Sequence, residues 1–243
     1  MTALGVDWAG NGWVAARHEG DRIEVEFFPT VLILWRAHAD AAPILIDVPV
    51  GLRETGKRAA DQAAASMLGG RRSGSVFFTP TRPAVEAPNI EAAKRRQDPP
   101  SFGVQNQAWA IVPRIREVDG FLQEYADDVG ATQFLEAHPE LCFAGLNDGT
   151  PIEAGKTTDA GQTARLDVLE SIDETYVTAY HEAVETLTDP SYAPMIGASK
   201  TDDILDALAL AATAAKGVDA LESVPEDPAV DPVLDREIRI VYP

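Results

Sequence analysis

Cysteine is almost absent from this chain. Of 243 residues only Cys142 carries a thiol, so no intrachain disulfide can form. Lysine is scarce as well, 5 residues against 15 arginines. Long apolar runs are missing: no stretch reaches the ~18 residues of a membrane helix, and no membrane partner is expected. The opening MTALGVDWAG has neither a basic segment nor an apolar centre, so no secretory leader is expected. Together these absences predict a soluble, cytoplasmic protein. The rest is ordinary for a globular fold, with 45% hydrophobic and 24% charged residues. The length suits one domain, or one domain with a sizeable insertion.

Charge is the exception. There are 39 acidic and 20 basic residues, a net of −19. Taken alone, this argues against nucleic acid as a partner. High acid with little lysine also fits a halophilic surface, whose charge describes habitat rather than partners. The distribution is uneven. Between Arg53 and Arg116 stand 11 basic and 5 acidic residues, a local +6 that leaves −25 elsewhere. Such an island suggests a polyanion held locally. The alternative is arginines paired with an acidic surface, since exposed ion pairs are common and weak.

Residues 3–8, 12–18 and 22–28 read as strands of an antiparallel meander. The third alternates, with Ile23, Val25 and Phe27 on one face. A helix over 30–39 follows, with Thr30 as N-cap. The apolar run 43–48 reads as a strand buried on both faces, which makes the pattern α/β with a mixed sheet. Residues 56–69 are helical and 70–103 irregular, rich in proline. Helix returns over 104–126, with Pro113 expected to end or kink its first part. A strand at 131–137 and helical periodicity over 159–187 come next, then a loop with Pro190 and Pro194. The strongest helix is 199–216. An acidic, proline-rich tail spans 218–235, and 237–242 suggests a last strand.

Asp7 is the lone charge in the first strand. An ionised carboxylate there is costly unless paired or bound to metal. Asp47 ends the run PILI in the same way, and Glu136 ends QFL. Strand ends form the ligand crevice of open α/β sheets. Asp203 and Asp206, three apart, share one face of the late helix. Asp202 has a simpler explanation, a capping box with Ser199. Clustered carboxylates repel and need cations between them. Oxygen-only ligands select hard ions, Mg²⁺ or Mn²⁺. Two such ions ~3.5–4 Å apart can hold the attacking and leaving oxygens of a phosphodiester displacement.

These segments carry a resemblance. GVDWAGNGW, ILIDVPVGL and DDILDALALA look like the ribonuclease H-like superfamily, the last resembling the paired aspartates of its Holliday-junction resolvase branch. The ordered set GVDWA, IDVPVGL, LGGRRSGSVFFTPTR, QNQAWAIVPRIREVD, EAHPE and DDILDALALA resembles, more closely, the DUF429 family of predicted nucleases, over roughly residues 4–213. The resemblance implies a single ribonuclease H-like domain over 1–243: a mixed sheet flanked by helices, with a helical and loop insertion after the fourth strand at about 53–126. It maps Asp7, Asp47, Asp203 and Asp206 onto metal-binding carboxylates. Glu136 and His138 fall in the family's EAHPE motif. Gly74 stands where similar sequences usually carry Ser.

Arg71, Arg72, Arg82 and Arg114 are candidate substrate contacts, because arginine suits bidentate phosphate binding. Arg114 and Arg116 with Glu117 and Asp119 also suit a structural ion network. Phe77 and Phe78 suit base stacking or the core, Trp109 the core, and Cys142 a buried apolar site. His138 suits a base, a ligand or a hydrogen-bonded spacer. The expectation is a metal-dependent nuclease acting on DNA or RNA with Mg²⁺ or Mn²⁺, in which Asp7, Asp47, Asp203, Asp206 and Glu136 are catalytic. Two alternatives stand: an ATP-dependent phosphotransferase or ATPase of the actin-like kind, and a non-catalytic nucleic-acid-binding regulator.

Overall fold

The computed structural model describes residues 2–70, 72–189, 191 and 201–243. Arg71, Ser199 of the expected capping box, and Pro190 and Pro194 of the expected loop lie outside the described residues. Strands β1 (Thr2–Ala9), β2 (Gly12–Glu19) and β3 (Arg22–Phe28) form the expected meander. Its turns use Gly10 and Gly20 at φ of 60° and 61°, a conformation that costs glycine little. Helix α1 (Val31–Ala37) begins where the side chain of Thr30 accepts from the Ile33 amide. Strand β4 (Ile44–Ile46) then lies parallel to β1.

After β4 come α2 (Ala59–Leu68), α3 (Arg82–Val85), α4 (Ile90–Arg96) and α5 (Asn106–Glu124). Strand β5 (Phe134–Glu136) pairs parallel with β4. The result is a five-stranded mixed sheet in the order β3-β2-β1-β4-β5. Helices α6 (Pro139–Leu146), α7 (Asp159–Ile172), α8 (Glu174–Leu187) and α9 (Thr201–Ala214) follow. Four short strands close the chain: β6 (Glu222–Val224), β7 (Val230–Asp231), β8 (Arg236–Glu237) and β9 (Ile240–Tyr242). No helix among the described residues is long and apolar enough to cross a membrane.

The chain divides into two compact units. The first comprises Met1–Asp47, Thr132–Glu222 and Val241–Pro243; the second comprises Val48–Ala131 and Ser223–Ile240. The insertion expected at about 53–126 lies within the second unit, which also takes in most of the tail.

The core of the first unit forms between the sheet and α9. Odd-numbered residues of β1 face this helix. A Cβ on Gly5 would stand 2.1 Å from the Ala207 carbonyl oxygen and the Ala211 amide nitrogen. Glycine on the strand and alanines on the helix therefore let two backbones touch. Ile23, Val25 and Phe27 join the same core, as their alternation predicts. The helical periodicity over 159–187 corresponds to two helices. The chain breaks at Asp173, whose side chain accepts from the Thr175 amide at 2.8 Å and caps α8.

In the second unit the segment expected to be irregular contains α3 and α4, which bury Ala84, Ala87, Ala92 and Ala93 with Val104. Helix α5 continues through Pro113 rather than ending there. Proline costs a helix interior about 3 kcal/mol. Here it sits on the exposed face, while Ala108, Val112, Ile115, Val118, Phe121 and Leu122 bury the opposite one and hold the helix together.

Candidate metal centre

Asp7 lies two residues beyond Gly5 on β1 and so points toward α9. On that helix Asp203 and Asp206 point back, three residues apart on one face. The close approach at Gly5 brings the acids together: one oxygen from each of Asp7, Asp203 and Asp206 lies within 4.8 Å of the others. The three residues are 5%, 4% and 1% exposed. Asp7 Oδ1 accepts the Trp8 amide at 2.7 Å.

Asp47 belongs to the neighbourhood but not to the three-oxygen cluster. Its amide donates to the Val6 carbonyl at 2.9 Å, which sets it beside Asp7 at the adjoining strand end. Burial raises its carboxyl, His138 opposes the rise and Asp206 adds to it, leaving it pushed up to about 6. Burial, then the charges of Asp47, Asp203 and Asp206, hold the Asp7 carboxyl well above its ordinary range. Asp206 is raised mainly by burial, against the pull of Lys156. These acids are costly as anions without a cation among them.

Lys156 is the residue that sequence reasoning missed. It sits in the loop before α7, and its Nζ lies 2.7 Å from Asp206 Oδ2 and 3.4 Å from Asp202 Oδ2. Burial disfavours its charge, but Asp206, Asp7 and Asp202 outweigh this and raise its pKa. Glu140, within the EAHPE motif but not expected as a site residue, is also buried nearby and pairs with the fully buried Arg165. Its charge raises both Asp47 and Asp206. His138 caps α6, its Nδ1 accepting the Glu140 amide at 3.2 Å.

Glu136 is a correction. Strand register aligns it with Ile46 and Val6, one step before Asp47 and Asp7. Side chains alternate along a strand, so Glu136 turns to the opposite face of the sheet from Asp7 and Asp47.

The arginines divide. Arg82, expected on substrate, is 4% exposed and bound by Asp119 at 2.8 and 3.0 Å and by Asp231 at 2.6 Å. Burial leaves it no room for a phosphate, so it is a structural clamp of the second unit. Arg114 pairs with Glu117 at 2.6 Å, and Arg116 donates to the Val85 and Ala87 carbonyls. Arg72 lies half-buried in the short turn Arg72–Ser75. Phe78 packs edge-on to Phe102, with Lys57 Nζ 4.3 Å from its ring centre, while Phe77 is 40% exposed. Trp109 packs against the α3–α4 core. Cys142 is buried, its thiol pushed up to about 12 by burial, and so is unreactive.

The donor set is all oxygen, which suits a hard divalent cation. One oxygen of Asp206, Oδ1, is buried and accepts no hydrogen bond among the described residues. Asp7, Asp203 and Asp206 could therefore hold a metal ion.

A family described as "Protein of unknown function (DUF429)" matches residues 5–230. No curated protein and no solved structure matches. The matched span contains Asp7, Asp47, His138, Lys156, Asp203 and Asp206 and nearly the whole chain. The chain belongs to the DUF429 family.

Proposed function

We propose that this protein is a metal-dependent phosphodiesterase that hydrolyses DNA or RNA, on a ribonuclease H-like fold. The observation that carries this is the convergence of three buried aspartates, one from β1 and two from α9, with oxygens within 4.8 Å. Asp7, Asp203 and Asp206 would hold Mg²⁺ or Mn²⁺. A divalent ion there supplies Lewis acidity toward phosphate oxygens and acidifies a water. Asp47, beside Asp7 at the adjoining strand end, would be placed to accept a proton from a water at the site. His138 restrains Asp47 electrostatically. The reaction proposed is an in-line attack by water, with no covalent intermediate on a side chain.

The phosphotransferase alternative requires a second copy of the opening sheet. Among the described residues the other sheets have two strands each, which favours the hydrolytic reading. The test is a panel of single-stranded, duplex and branched DNA and RNA, incubated with Mn²⁺ or Mg²⁺ at salt high enough to keep the acidic chain folded. Cleavage is expected, and Asp7→Asn or Asp203→Asn should each lower it by more than about 100-fold, beyond what removing a residue that merely supports a metal ligand costs. A panel left uncut by the wild-type protein would sink the proposal.

A further inference from the structure

The loop that carries Lys156 is built to deliver it. Gly161, in the first turn of α7, has no space for a side chain, since a Cβ there would stand 1.9 Å from the Gly155 carbonyl oxygen. Thr158 Oγ1 donates to that same carbonyl at 2.8 Å and accepts the Gly161 amide at 3.1 Å. Arg165, fully buried, donates to the carbonyls of Ala154 at 3.3 Å and Gly161 at 2.9 Å while it pairs with Glu140. The backbone is thus held on both sides of Lys156, and the ammonium enters the carboxylate cluster from a fixed base.

At the cluster it takes one oxygen of a would-be ligand. Asp206 Oδ2 is 2.7 Å from Lys156 Nζ, and Asp202 Oδ2 is 3.4 Å away. Asp206 Oδ1 accepts no hydrogen bond among the described residues and stays open to a cation. The ammonium thus neutralises negative charge of Asp206 and Asp202 that a second divalent ion would otherwise need. We infer that the Lys156 ammonium stands as a resident cation in this centre, so that the chain binds one divalent ion there and not the pair its four aspartates would otherwise suggest. This rests on the metal-dependent reading above and narrows it: one ion on Asp7, Asp203 and Asp206, with Lys156 supplying the second positive charge beside the substrate phosphate.

Mn²⁺ titration without nucleic acid tests this, by calorimetry and by electron paramagnetic resonance of unbound Mn²⁺, on the full chain and its Lys156→Met and Lys156→Arg variants. Thermal melts confirm that each variant is folded. The wild type and Lys156→Arg should take up one ion. Lys156→Met should either take up a second or bind the first at least about tenfold tighter, because the repelling charge is gone. Two ions on the wild type overturn the inference, as does a folded Lys156→Met with unchanged stoichiometry and affinity; both leave the metal reading standing. No uptake by any of the three proteins overturns the metal reading itself, and this inference with it.

Discussion

Asp47 shows what the centre costs the protein. In the unfolded chain its carboxyl titrates near 3.8, and in the fold near 6. Between those values the folded state holds a proton that the unfolded state has released, so stability falls as pH rises through the window, and above about 6 the loss is complete. The shift corresponds to on the order of 1–3 kcal/mol. The metal-free protein should therefore show a falling urea midpoint from pH 4 to pH 6.5, and Asp47→Asn should flatten that slope. Equal slopes in the two proteins would mean that the carboxyl is not held in this environment. The four aspartates are legible in the sequence because each is an acid in an apolar or helical run. Glu136 satisfies the same rule and faces the wrong way. Which face a strand-end acid takes depends on register with a strand some ninety residues distant, and a single strand does not display that. Lys156 carries no signal at all: its position follows from Gly155, Thr158, Gly161 and Arg165 packing against one another.

Whole elements are where the sequence speaks most clearly, and close packing explains the exceptions. The meander, α1 with Thr30 at its cap, and α9 follow from alternation, capping and helical periodicity. The break at Asp173 is written in a capping residue but hidden by continuous periodicity on either side. Helices α3 and α4 are too short for periodicity to reveal. Pro113 reads as a break because propensity is local, whereas the buried face of α5 is a property of nineteen residues. Gly5 is the position at which an element places the site. In Gly5→Ala the new Cβ would meet α9 backbone at 2.1 Å, and backbone cannot rotate away. The helix carrying Asp203 and Asp206 must then shift, at a cost of about 2 kcal/mol or more, and the stabilisation by Mn²⁺ in a thermal melt should disappear. Gly74→Ser is the counterpart. Nothing lies within 4 Å of its Cβ position, so its stability should stay within about 0.5 kcal/mol of wild type. A Gly5→Ala protein that melts and binds Mn²⁺ like wild type would contradict the packing described here.

At the scale of the molecule, the charge asymmetry in the sequence maps onto the two units. The first holds 7 basic and 24 acidic residues, the second 13 and 15. The basic island is thus a property of the second unit, but burial removes much of it from solution. Arg58 is 1% exposed and bonds Thr79 at 3.0 Å, Arg82 is clamped by Asp119 and Asp231, and Arg116 reaches backbone carbonyls. Arg95 and Arg96, in the last turn of α4, are exposed. Composition does not make this division, because an arginine bound to a phosphate and one bound to a buried aspartate look alike in sequence. Affinity for nucleic acid should follow exposure and not the number of arginines. With Asp7→Asn as background and no metal, the Arg95→Ser/Arg96→Ser double variant should bind single-stranded DNA more weakly. Its log–log slope of affinity against salt should fall by about 0.7 for each phosphate that is no longer neutralised. Arg82→Met should act differently, destabilising the fold by about 3–5 kcal/mol, because Asp231 and Asp119 are then deprived of the charge that permits their burial. If the double variant keeps the full salt slope, phosphate is held elsewhere. If Arg82→Met instead weakens binding in a protein that melts normally, the clamp is a substrate contact after all.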